Sequence, residues 1–311
     1  MNRQSIEAIL TNGFEIWKKN KIIGLAFVLN AFSLFFLGII FILLSLSFLG
    51  NTLISFYEGV YSQDFSYISL IQEVIFILLF LLLLFLFFAL IVNSFFLAGA
   101  VGMTKEAMQK GKTKLGDMLF YGKKKFLSLF FAAILILFFQ LLGLIFLIPG
   151  LISFFVLNSV GVGLLLLVLG ILLFVLYLLI LRLLLVLMPQ AIVIDDLGPF
   201  DGVKKAYLVF MNNKLSVLIL LVAISVIFEI LNMFLRDVLL FPLFLLMSKG
   251  YIGTILSIIF FAFVILFILF VLQPIITLWL TALYLNRTGK EIAIDIADES
   301  TKSSRDFVVR I

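Results

Sequence analysis

The chain reads as an all-α integral membrane protein: six transmembrane helices in three hairpins, each preceded by an amphipathic helix in the cytoplasmic interface. Three observations predict this. Of 311 residues, 65% are hydrophobic and 13% charged, with 38 Phe; a soluble domain is nearer half apolar and a quarter charged. Uncharged apolar runs long enough to cross hydrocarbon recur between polar segments. A lysine-ended segment also recurs at residues 5–24, 114–129 and 197–223, so that Lys21, Lys125 and Lys214 each open an apolar run. Residues 1–285 are therefore expected to form a single polytopic membrane domain. Its internal three-fold repeat falls at approximately 1–100, 101–188 and 189–285, and 286–311 form a cytoplasmic tail.

In chain order, residues 4–20 predict the first interfacial helix. Ile6, Ile9, Leu10, Phe14 and Trp17 recur at three- and four-residue steps, while Glu7, Glu15, Lys18 and Lys19 fall elsewhere; that pattern lays a helix in the membrane surface. The first span covers 22–49, and 50–72 form a polar loop without Lys or Arg. The second span covers 74–100 and leads into a lysine-rich loop at 103–125. Residues 126–188 are too long for one crossing. Pro149-Gly150 and the polar, glycine-containing stretch 158–163 divide them into spans at 126–148 and 164–188, with a short turn or helix extension at 151–157. A loop at 189–214 precedes the fifth span, 215–235. An apolar connection, 236–251, leads to the sixth, 252–285, broken by Pro274. Trp279 and Tyr284 are placed in an aromatic belt at its end.

Lys and Arg set the orientation. The N-terminus, the 101–125 loop, the 189–214 loop and the tail carry most of them; the alternate loops carry only Arg236 and Lys249. Positive residues stay inside, so both termini are expected in the cytoplasm of a multi-pass cell-membrane protein. Residues 1–20 carry Glu7 and Glu15 and no short apolar core ending in small residues. The first span is therefore expected to remain rather than be cleaved.

The sequence has no cysteine and no histidine. This removes disulfides, thiolate or imidazole metal sites, and Cys or His catalysis. Phosphate-binding glycine loops, zincin motifs and nucleophile elbows are also absent, so neither an enzyme nor a cofactor nor a metal is expected. The net charge is +5. Its lysines sit beside apolar runs, which points to anionic lipid rather than nucleic acid. Lys18, Lys19, Lys21, Lys123, Lys124, Lys125, Lys204, Lys205 and Lys214 are the candidate headgroup contacts. Asp195, Asp196 and Asp201 flank Leu197-Gly198-Pro199, where helix capping and turn formation account for them.

Polar residues inside the spans are few. A charge at the bilayer centre costs about 2.5–3.5 kcal/mol and needs a partner or a purpose. Arg182 lies near the cytoplasmic end of the fourth span, from which a long side chain can snorkel to the headgroups. Asn30, Asn93 and Gln273 lie at comparable depth and with Arg182 could line an inward-facing polar pocket. Asparagine between membrane helices also serves as packing glue, worth about 0.6–2 kcal/mol. Glu229, Asn232 and Arg236 share one helical face near the outer side of the fifth span and form a candidate polar strip. Gly99 and Gly102 read as a site of close helix packing.

The segment PQAIVIDDLGPFDGVKKAYLVFMNNK resembles a group of prokaryotic multi-pass membrane proteins, and more distantly the membrane domain fused to some glycerophosphodiester phosphodiesterases. Pro189, Ile192, Val193, Ile194, Asp196, Gly198, Pro199, Ala206 and Lys214 carry the pattern, and Leu147-Ile148-Pro149-Gly150 a second piece. In that pattern a span ends in Pro, a strand-like piece leads to an acidic-Gly turn, and an amphipathic helix precedes the next span. The resemblance implies a fold type and no reaction.

Two functional readings follow. The first is a non-enzymatic membrane protein engaging inner-leaflet lipid or a partner complex through its amphipathic helices. The alternative is a transporter or permease-like protein for a small solute or lipid, using the Asn30, Asn93, Arg182 and Gln273 pocket. Membrane lipid is the expected partner, with a protein partner or a second copy of the chain beside it.

Overall fold

The computed structural model describes residues 4–61, 67–156, 159–234, 250–290 and 292. Among them the chain is helical, without strands. The helices are α1 (Ile6–Lys19), α2 (Gly24–Tyr61), α3 (Tyr67–Lys110), α4 (Leu115–Leu142), α5 (Ile148–Phe155) and α6 (Val160–Leu185). They continue with α7 (Met188–Ile194), α8 (Pro199–Asn212), α9 (Lys214–Phe234), α10 (Tyr251–Phe267) and α11 (Gln273–Thr288). Six segments are long and apolar enough to cross a membrane.

Several expected loops are helix. α2 and α3 run to 38 and 44 residues, about 57 and 66 Å at 1.5 Å per residue, well beyond ~30 Å of hydrocarbon. They take up most of the polar loop expected at 50–72. The lysine-rich loop shrinks to the link between Lys110 and Leu115, where Gly111 turns the chain at φ 76°. Residues 189–214 form α7 and α8 with a short turn between them. Polarity ends an apolar run in sequence, but it does not end a helix whose backbone bonds stay intact.

The three repeated segments do not fold alike. α1 and α8 are separate helices that stop at Asn20 and Asn213, and the span begins again just beyond each. Both asparagines leave helical geometry, with φ/ψ of −128/48° and −138/34°. Each side-chain amide donates back to a carbonyl four residues earlier, Ile16 and Val209. In the middle segment α4 runs unbroken through Lys123, Lys124 and Lys125. Lys124 stands where the other copies have Asn20 and Asn213. Asparagine competes for backbone hydrogen bonds and favours helix ends, whereas lysine is a good helix former. Asn20 does more than stop α1: its Nδ2 also donates to the Gly111 carbonyl and its Oδ1 accepts from the Thr113 amide. It thereby ties the α1–α2 break to the α3–α4 turn.

The third and fourth crossings meet in a close-packed hairpin. α5 follows a 3₁₀ stretch, Gly143–Leu147, and carries Pro149 in its first turn. It folds back along α6. A Cβ on Gly150 would stand 2.6 Å from the Leu167 backbone nitrogen, and one on Gly163 would stand 2.9 Å from Phe154 Cα. Without hydrophobic force between helices in lipid, such small residues set the approach. Gly99 and Gly102 do the same between α3 and α4, against Met118 and Tyr121. In the last crossing a π-helical stretch, Ile268–Leu272, precedes Pro274. Proline has no N–H to donate, and a wide turn accommodates the lost bond.

Burial concentrates at the lysine-rich end. One cluster joins Ile9 and Ile16 of α1, Met103 of α3, Leu129 of α4, Ile192 of α7 and Leu283 of α11. Away from it the spans expose Phe35, Phe76, Leu165, Leu172 and many similar residues, as apolar lipid allows. The expected aromatic belt is part of this cluster instead. Tyr284 is fully buried, and Trp279 is buried with its indole N–H donating to the Leu10 carbonyl at 2.9 Å. α1 is docked accordingly: Ile9, Gly13 and Ile16 are its buried face, and Gly13 packs on Trp279.

Gly150→Leu is expected to lower stability by about 1–3 kcal/mol, the usual cost of overpacking. Gly161→Leu, whose Cβ would meet nothing within 4 Å, is expected to unfold like wild type. Thermal unfolding of both variants in one detergent checks the pair.

Candidate functional site

α7 is the hub of the lysine-rich end. The resemblance implies a strand-like piece at Ile192–Ile194, yet MPQAIVI forms a helix of 7 residues packed against α3, α4, α8 and α11. Met188, Gln190, Ala191, Ile192, Val193 and Ile194 are all buried. Gly202 of α8 lets Ile192 approach, because a Cβ there would overlap it. α7 ends at Asp195, and Asp196 follows at φ 60°, a left-handed conformation that aspartate tolerates better than most residues. These two acids therefore cap no helix start. They sit at a C-terminus, the negative end of the helix dipole, where acids are unfavourable. Asp201 does lie in the first turn of α8.

Lysines from several elements offset that negative charge. Lys105 and Lys290 reach the Ile194 carbonyl at 3.4 and 3.5 Å. Asp195 Oδ1 pairs with Lys290 at 2.7 Å, and its Oδ2 accepts from the Tyr284 hydroxyl at 2.8 Å, with Lys205 4.0 Å away. Asp196 pairs with Lys125 at 2.8 Å and Lys124 at 3.0 Å. Lys125 also donates to the Leu197 carbonyl at 3.1 Å. The hydrogen bonds from Lys125 and then Lys124 hold the Asp196 carboxyl below the usual carboxylate range.

This changes the reading of the candidate headgroup lysines. The Lys125 side chain is only 9% exposed, so it is a structural counter-ion rather than a lipid contact. Lys124 and Lys205 also face aspartates, and Lys18 pairs with Glu15 at 2.9 Å. Lys19, Lys21, Lys123, Lys204 and Lys214 are exposed and make no ion pair among the described residues. Of these partners, Lys105 and Lys290 were not singled out from the sequence, and Tyr284 was expected in an aromatic belt instead. The apolar run Ala191–Ile194 ending in Asp195-Asp196 was the available signal, since buried or half-buried acids need donors.

The intramembrane polar residues divide between places. Asn30 Nδ2 donates to Asn93 Oδ1 at 3.1 Å, joining α2 to α3. Arg182 instead lines a groove of about 560 Å³ between α4 and α6, beside Gln140, Ile136 and Leu178. Neither asparagine lines that groove, nor does Gln273, which is exposed on α11. Arg182 is also deeper than its sequence position suggests, because α7 extends the path to the lysine-rich end. Glu229 is exposed on α9, while the Asn232 side chain and Arg236 lie outside the described residues.

α8 has two working faces. Gly202, Ala206, Val209 and Phe210 are buried inward. Phe200, Tyr207, Leu208 and Met211 are exposed outward, with Lys204 among them and Lys214 just beyond. Among the described residues no group of three metal-ligating side chains converges.

Long apolar helices that expose their side chains, joined by a polar, ion-paired end, define a multi-pass helical membrane protein. Residues 88–285 match a family described as a domain of unknown function, DUF7847, and the chain belongs to that family. No curated protein and no solved structure matches the chain. The likeness of residues 189–214 to the membrane domain of glycerophosphodiester phosphodiesterases rests on the sequence pattern alone.

Asp195→Asn is expected to cost about 3 kcal/mol, as for a shielded pair; Asp195 is 15% exposed. Asp196→Asn is expected to cost about 1 kcal/mol, because Asp196 is 57% exposed and screened. A lowered carboxyl pKa stabilises above the ordinary value of 3.8 and is lost as pH falls through the still lower folded value. Unfolding midpoints of wild type and Asp196→Asn are therefore expected to differ at pH 6 and to converge as pH falls through the lowered folded value.

Proposed function

We propose that this is a non-enzymatic integral membrane protein that engages inner-leaflet lipid through helices at its cytoplasmic end. The two-sided packing of α8 carries the reading. Its inner face is committed to α7, while the outer face leaves Phe200, Tyr207, Leu208 and Met211 uncovered beside Lys204 and Lys214. Aromatic and aliphatic side chains interleaved with lysine suit a helix at the headgroup–acyl boundary. The start of α4 adds Leu119 and Phe120 beside Lys123, all exposed.

The orientation belongs to the same proposal. The candidate lysines that make no ion pair among the described residues, Lys19, Lys21, Lys123, Lys204 and Lys214, suit a negatively charged inner surface, each worth about 1 kcal/mol near it. Lysines already bound to Asp195 and Asp196 add little. The contact thus narrows from a uniform basic collar to the unpaired positions.

The chain has no cysteine, so Met211→Cys accepts a single environment-sensitive probe in the full-length protein in nanodiscs. Quenching by lipids brominated near the top of the acyl chain is expected; a probe quenched only by aqueous iodide sinks the proposal. Lys204→Ala is expected to weaken phosphatidylglycerol binding about fivefold in native mass spectrometry, the equivalent of 1 kcal/mol per lysine.

A further inference from the structure

Two opposite charges face outward from the apolar spans, and neither forms an ion pair among the described residues. Arg182 is exposed in the groove between α4 and α6, with Gln140 beside it. Glu229 is exposed on α9 within an apolar stripe: Ile219, Val222, Val226, Ile230 and Met233 are each more than half exposed. The inner face of α9, Val217, Leu220 and Ile224, is buried. The stripe is thus the side of α9 left uncovered.

The two charges also lie at comparable depth. Arg182 shares its groove with Ile136 and Gln140. On continuous α4 these are eleven and fifteen residues past Lys125, about 16 and 22 Å of helix. Glu229 is fifteen residues past Lys214 on α9, about 22 Å by the same rise. Each charge thus lies inside its apolar run, with Glu229 toward the far end of its run. An ionised side chain at the bilayer centre costs about 2.5–3.5 kcal/mol, and one elsewhere within an apolar run is still stabilised by a counter-charge.

We propose that two copies of the chain supply it to each other. The Glu229 stripe of one copy seats in the α4–α6 groove of the next. There the Glu229 carboxylate accepts hydrogen bonds from the Arg182 guanidinium, a planar fork suited to a carboxylate. The Gln140 amide is a further donor. Val226 and Ile230 meet the apolar wall formed by Val175, Leu178 and Leu179. The occupant is a second copy because the complementary charge, its depth and its apolar surround all stand on this chain. The inference is independent of inner-leaflet binding by α8, which uses other surfaces.

The test is a charge swap read by disulfide trapping in membranes, made clean by the absence of native cysteine. Copies carrying Val226→Cys and copies carrying Leu179→Cys are co-reconstituted and mildly oxidised. A cross-linked dimer is expected. Arg182→Glu alone and Glu229→Arg alone are each expected to reduce it at least tenfold. The double variant R182E/E229R, present in both copies, is expected to restore it, which separates lost pairing from misfolding. Three results overturn the proposal: a wild-type chain released from bilayers as a monomer in native mass spectrometry, cross-linking indifferent to the single swaps, or no restoration by the double swap. If Arg182→Glu strips a bound anionic phospholipid while cross-linking persists, the arginine serves a lipid headgroup and the copy-to-copy contact is rejected.

Discussion

α7 ends where its backbone dipole is negative, and the chain places Asp195 and Asp196 at that point. Left alone, a helix C-terminus and two adjacent carboxylates would repel one another. The structure surrounds them with the ammonium groups of Lys105, Lys124, Lys125, Lys205 and Lys290 and the hydroxyl of Tyr284. Those groups come from α3, α4, α8, α11 and the segment after it. Neutralising one short helix therefore brings the crossings together at a single end. Removing a donor would leave charge in a half-buried place, which costs more than the pair contributes when intact.

This arrangement divides the lysines into two populations. Lys125 and Lys290 spend their charge inside the protein, whereas Lys123, Lys204 and Lys214 face outward. A rule that counts basic residues sees both alike. The division also fits the distribution of burial. The core lies around α7, and the long spans leading from it show mostly leucine and phenylalanine to their surroundings. Helices immersed in lipid have little hydrophobic reason to bury such residues against each other. Contacts there come from local devices: Asn30 bonded to Asn93, and glycines that let α5 lie on α6.

Hydropathy made the six crossings legible, because about 20 apolar residues have few alternatives to a bilayer. It located their ends poorly. α2 and α3 continue through polar residues since a helix carries its own backbone bonds into water as well as lipid. The three lysine-ended segments looked equivalent, yet Asn20 and Asn213 break the helix where Lys124 lets it pass. That distinction was present in the letters and is a matter of local propensity. The inward position of Trp279 was not: an aromatic at a span end suits a headgroup belt equally well, and only the docking of α1 takes its N–H to Leu10.

By itself the sequence determined the class of the molecule, the number of crossings and the small set of polar side chains available inside them. Each of these follows from transfer free energy, which depends on composition over a short window. The tertiary structure decided which of those side chains meet. It paired Asn30 with Asn93, set Arg182 beside Gln140, and turned Lys125 away from the surface onto Asp196. Partner choice depends on helix rotation and relative height, and both are fixed by contacts between segments far apart in the chain.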